Sequence, residues 1–76
     1  MKLFRLYATS LPSDMEHWLY SNIGHGGRWL LSERVYGNIK PEPEIGDNWG
    51  FWVNYNGVNI AILDEQKASW FSLRWQ

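Results

Sequence analysis

The stretch NWGFWVNYNGVNI, Asn48 to Ile60, contains two runs of period two separated by an Asn-Gly pair. Trp49, Phe51, Val53 and Tyr55 alternate with Gly50, Trp52 and Asn54. After Asn56-Gly57 the pattern resumes as Val58, Ile60 and Ile62 against Asn59, Ala61 and Leu63. Successive side chains of a strand point to opposite faces, so each run buries one row and exposes the other. Asn-Gly between such runs is the strongest short hairpin signal, because both central residues of a type I′ turn need positive φ. The hairpin predicts Phe51, Val53, Ile60 and Ile62 inward, with Asn54 and Asn59 outward. Trp52 shares the outward face with the asparagines, an aromatic where polar residues are expected.

Upstream, Lys2 to Thr9 alternates as a strand, with Phe4, Leu6 and Ala8 on one face and Leu3, Arg5 and Tyr7 on the other. Leu11-Pro12-Ser13 breaks that pattern, and Ser13-Asp14-Met15-Glu16 matches a capping box in which Ser13 caps the helix and Glu16 reaches back. Met15, Trp18, Leu19 and Ile23 then form one helical stripe. Gly24-His25-Gly26-Gly27 ends the helix, since glycine accepts the left-handed conformation. Arg28 to Tyr36 reads as a second strand, with Trp29, Leu31 and Val35 on one face and Leu30 and Tyr36 on the other. Gly37 to Asp47, with two prolines and three acids, reads as an exposed loop.

The segment Asp64 to Trp75 fits two periods. At period two, Trp70, Ser72 and Arg74 oppose Phe71, Leu73 and Trp75; at period 3.6, Ala68, Phe71 and Trp75 form a stripe with Asp64 as N-cap. The helix is preferred, because Asp-Glu-Gln-Lys-Ala is poor strand material and runs into the aromatics without a break. The expected fold is a single small α+β domain over residues 1–76, ordered β-α-β-β-β-α. Its four-stranded sheet is mainly antiparallel, with two helices on one face.

A chain of 76 residues is near the size at which one core only marginally offsets chain entropy. It has no cysteine, and six tryptophans, four tyrosines and three phenylalanines supply by apolar burial the stabilisation that disulfides supply elsewhere. Seven basic and eight acidic residues are scattered, giving a net charge of −1. That distribution disfavours both the clustered basic footprint of a nucleic-acid binder and the acidic excess of a DNA mimic. No segment has the length of a signal peptide's apolar run or of a membrane span, which points to a cytoplasmic protein.

No catalytic constellation stands out. His17 lies on the polar side of the first helix, and His25 sits in a glycine turn that follows a helix and lacks the lysine of a phosphate loop. Glu42, Glu44 and Asp47 sit beside Pro41 and Pro43, which disrupt the ligand spacing of a calcium loop. No cofactor or metal is expected. Protein binding is the favoured use for aromatics left outside the core, because Trp, Tyr and Arg are the enriched hot-spot residues. Trp52, Trp49, Arg74 and Trp75 are the candidates from the aromatic runs. Tyr7, Leu30 and Tyr36, with Leu3, join Trp52 on the open sheet face, and Glu42, Glu44 and Asp47 add an acidic loop.

The C-terminal pattern Asp64-Glu65-x-x-Ala68-x-x-Phe71-x-Leu73-Arg74-Trp75 resembles the ending of many short bacteriophage open reading frames, where it follows a hairpin and forms the last helix. The resemblance covers about a dozen positions and implies an origin among phage accessory proteins. Such proteins are often inhibitors of a host machine such as RNA polymerase, a nuclease or a CRISPR effector, or else minor virion components. The leading expectation is a non-enzymatic module that binds a host protein. The alternatives are a single-strand nucleic-acid binder using Arg5, Arg28 and Arg34, and a self-associating component.

Overall fold

A computed structural model of the chain describes residues 1–33, 39–42, 46–55 and 57–76, with 30–33 and 39–42 described by their backbone. The elements are β1 (Lys2–Leu6), α1 (Ser13–Asn22), β2 (Gly26–Arg28), β3 (Leu30–Glu33), β4 (Ile39–Glu42), β5 (Trp49–Asn54), β6 (Gly57–Ile62) and α2 (Glu65–Trp75). The expected α+β class holds. A four-stranded sheet in the order β1-β6-β5-β2 is joined by a separate two-stranded pair, β3-β4.

The β5-β6 hairpin forms, with Trp49 opposite Ile62, Phe51 opposite Ile60 and Val53 opposite Val58. Directly opposed residues share a face, so these six make one apolar surface. Phe4 and Leu6 of β1 extend it, opposite Ile60 and Val58. Met15 and Leu19 from α1, Ile23 at its C-cap, and Ala68 and Phe71 from α2 close over that surface in a single cluster. Both helices therefore lie on the same side of the sheet. Within the cluster Phe71 meets Phe4 at 4.6 Å and Trp18 at 6.0 Å between ring centres. Lys67 reaches from α2 to donate to the Ile23 carbonyl at the end of α1, a cation placed where the helix dipole favours it.

The turn sits one residue earlier than expected, which moves the pairing by two residues and leaves the faces unchanged. Gly57 is the first residue of β6, opposite Asn54, and Tyr55 falls in the turn. The neighbouring strand explains the shift. Gly57 has φ +121°, and a β-carbon there would stand 2.4 Å from the Leu6 carbonyl oxygen. The glycine thus answers the close approach of β1 as well as the bend.

The expected strand Arg28–Tyr36 is also corrected. It is interrupted at Trp29, and Gly26-Gly27, expected to belong to the loop ending α1, open β2 instead. β2 pairs in parallel with β5, Gly27 opposite Gly50, so the sheet is mixed at this edge. Only Gly24, at φ +118°, ends the helix, its N–H donating to Leu19 O. Since β1 and β2 run in the same direction at opposite edges, the chain has to cross the sheet between them. α1 makes that crossing. Part of the expected loop, Ile39–Glu42, pairs with β3 as β4, while Glu44 and Tyr36 lie outside the described residues.

The helix starts contrast. Asp64 caps α2 as expected, its carboxylate accepting from Gln66 N–H at 2.8 Å and Lys67 N–H at 3.2 Å. The capping box at Ser13 does not form, because Pro12 occupies the N-cap position and its carbonyl accepts the first helical bond, from Glu16 N–H. Ser13 is already inside the helix. Among the described residues, no helix is long and apolar enough to cross a membrane.

Trp29 is buried on the opposite side of the sheet from the main cluster. A β-carbon on Gly50 would fall 1.9 Å from its ring, so the indole lies flat on the Gly50 backbone. Gly50→Ala should displace that ring and cost about 2–3 kcal/mol, the scale of overpacking a closed site, read as a fall in the urea midpoint at unchanged slope.

Candidate protein-binding surface

Strand alternation places Leu3 and Arg5 of β1, Asn59 and Ala61 of β6, and Gly50, Trp52 and Asn54 of β5 on the face away from the helices. Register lines them up across the sheet. Leu3, Ala61 and Gly50 form one row; Arg5, Asn59 and Trp52 form the next. Trp29 covers the first row at Gly50, and its ring stacks on Trp52 at 6.4 Å with the planes 9° apart. Trp52 is consequently half-buried rather than free. The Asn59 side-chain nitrogen is shielded and, among the described residues, has no hydrogen-bond partner. Arg5 and Asn54, nearer the hairpin tip, are exposed.

Beyond the second row the sheet ends in a groove between the chain leaving β1 and the hairpin tip. Tyr7, Ala8, Thr9, Val53 and Tyr55 line it. Tyr7 is 88% exposed and Tyr55 97%. Neither ring contributes burial to the fold, and both are carried by residues next to strand ends, where the backbone is fixed.

A second constellation holds Trp29 in place. Its Nε1–H donates to Asp47 Oδ2 at 2.7 Å, and the other carboxylate oxygen stands 3.2 Å from His25 Nε2. The Asp47 side chain is almost wholly covered, whereas that of His25 is 74% exposed. Backbone bonds fix the approach: Asn48 N–H donates to His25 O at 2.7 Å, and Leu63 N–H to Asn48 O at 3.0 Å. A carboxylate holding an imidazole is half of an acid–base relay. Among the described residues, His25 has no second side-chain partner, and no three potential metal ligands gather. The arrangement is a clasp that satisfies a buried indole.

Several expected surface residues are placed elsewhere. Trp49 is fully buried, its Nε1–H donating to Gly24 O at 2.8 Å, because it belongs to the inward row of β5. Asp47 is taken up by the clasp instead of standing in an acidic loop. Trp75 is half-buried against Trp18, and the exposed Arg74 lies over the Trp75 ring at 4.4 Å. Leu30 and Glu42 are placed only by their backbones in β3 and β4. Tyr7 is exposed as expected. Tyr55 continues the alternation of Phe51 and Val53 in the sequence, but it falls in the turn and is exposed. Its adjacency to Asn56-Gly57 was the signal that could have found it. The pairing of His25 with Asp47 joins residues far apart in sequence and has no local signature.

Comparison of the chain with protein-family models, with curated proteins and with solved structures found no match.

Replacing Asp47 by Ala leaves the buried Trp29 N–H without an acceptor and should cost about 1–3 kcal/mol. His25→Ala, at an exposed side chain, should stay within about 0.5 kcal/mol of the parent. Urea denaturation of the two variants side by side tests the assignment of the clasp to Trp29 rather than to the histidine.

Proposed function

We propose that this chain is a non-enzymatic protein-binding module whose partner docks at the end of the sheet, between Tyr7 and Tyr55. The observation that carries the reading is the near-complete exposure of two tyrosines that line one shallow, open groove. Tyrosine provides large contact area at a low cost in side-chain entropy, which is why it is enriched at interface hot spots. The neighbouring Arg5–Asn59–Trp52 row supplies a polar margin with a cation and an amide. The resemblance of the C-terminal helix to those of phage accessory proteins supports a bacterial host protein as the partner and the host cytoplasm as the place. In this reading the module blocks or redirects its target by occupying a surface.

The same row could in principle stack bases of a single strand, but Trp52 spends one ring face on Trp29. Nucleic-acid binding would also weaken steeply with salt as counterions are released.

The experiment is capture from a bacterial lysate by the tagged chain after nuclease treatment, with a Tyr7→Ala/Tyr55→Ala double variant as control. The variant should melt within about 0.5 kcal/mol of the parent, since neither side chain is buried, and should lose a stoichiometric protein that the parent retains. Retention of the same protein by the variant would remove the groove from the interface. Capture that vanishes with nuclease or moderate salt would turn the reading to nucleic acid.

A further inference from the structure

The outer edge of β1 is unpaired. In the sheet order β1-β6-β5-β2 its neighbour is β6, and among the described residues no other strand pairs with it. Such an edge presents backbone N–H and C=O groups to an incoming strand. α2 runs alongside, with Glu65 near Lys2 and Trp75 near Leu6. An open groove of about 520 Å³ separates the two elements, with Phe4 and Ala68 at its base and Ser69, Ser72 and Leu73 on the helix side. A separate cavity of about 20 Å³ lies nearer Leu6, among Met15, Ile60, Phe71 and Trp75. The small side chains at 68, 69 and 72 are what keep the helix from filling the groove. Two leucines bracket the edge: Leu73, 87% exposed on the inner side, and Leu3, 56% exposed on the outer. A strand laid between them would cover both.

Charge selects the occupant. Arg5 is exposed on the outer face of β1, and among the described residues no carboxylate pairs with it. Lys2, on the inner face, already shares its groove with Glu65. Two copies joined β1 to β1 about Phe4 would set Leu3 opposite Arg5 and bring the two arginines to diagonal positions on one face, where like charges repel. An acidic side chain opposite Arg5 turns that repulsion into attraction. We propose that the β1 edge binds an extended peptide segment of a partner protein by antiparallel strand addition. The segment carries an acidic residue opposite Arg5, apolar residues opposite Phe4 and Leu3, and a neutral polar residue opposite Lys2, in that order from its N-terminus. Main-chain hydrogen bonds to the edge give affinity, and alternate side chains give the choice of sequence. Antiparallel addition continues the pairing β1 already makes with β6 and is the more stable arrangement per residue. This deepens the protein-binding reading on a surface separate from the tyrosine groove, so either can fail without the other.

The test is titration of the isotopically labelled chain with the blocked peptide Ser-Val-Glu-Val-Ile-Thr-Ser, followed by amide and methyl chemical shifts. Shifts should concentrate at residues 2–6 and at the Leu3 and Leu73 methyls, with the β1 amides gaining protection from exchange. Arg5→Glu should weaken the peptide at least tenfold, and a peptide with Lys in place of Glu should recover the loss. Leu73→Ser, at a side chain outside the core, should weaken binding while the spectrum stays dispersed. Absence of β1 shifts at millimolar peptide would overturn the proposal, as would shifts indifferent to the Arg5 charge reversal. So would sedimentation showing that the free chain dimerises through β1, which would make the occupant a second copy. Loss of Tyr7/Tyr55-dependent capture alone leaves this result untouched.

Discussion

Trp49 is the residue on which the arrangement of layers depends. Its indole is fully enclosed, so its N–H has to find an acceptor, and it finds the Gly24 carbonyl at the end of α1. That bond ties the helix terminus to the start of β5 and draws the chain after Gly24 against the sheet. A β-carbon at Gly26 would meet the Trp49 carbonyl oxygen at 2.3 Å, so only glycine permits β2 to lie where it does. Tyr20 packs edge-on against the same ring at 5.2 Å. One buried donor thereby fixes where the helix ends, where the parallel edge strand begins and how closely the two approach.

The sheet is a wall between two tryptophans. Trp49 fills the helix side, Trp29 covers the other, and Gly50, next to Trp49 in the chain, has no side chain to hold the Trp29 ring off the sheet. The polar half of the second indole is satisfied by Asp47, outside the main cluster. A chain of this length without disulfides gains a second covered face in this way, closing over the sheet with one ring where larger domains use a whole layer. Toward the tyrosines, Arg5 and Asn54 of that face are exposed.

The parts of this fold that could be read from the sequence are those set by local periodicity. The β5-β6 hairpin, the stripe of α1 and the Asp64 cap of α2 all follow from neighbours within one turn or one strand pair. The ambiguity at Asp64–Trp75 resolves to helix because the cap is made and Phe71 docks on Phe4. What could not be read depends on approach between distant segments. Gly57 shifts out of the turn because β1 passes it, Trp29 leaves its strand because Gly50 offers a bare surface, and Asp47 leaves the acidic loop because an indole and an imidazole converge on it. The candidate site shares this division. Tyr7 could be placed by alternation, whereas Tyr55 and the groove required the register itself.

The pairing of β1 with β6 has a kinetic consequence. Lys2 meets Ile62 across nearly the whole length of the chain, while β5, β6 and α2 follow one another directly. Closing the long loop costs entropy before any contact offsets it, whereas the hairpin and the last helix organise locally. Topology therefore favours a C-terminal half that assembles first, with β1 added last to an edge of β6 already formed. On that order the folding of this chain would end in the addition of an extended segment to a waiting sheet.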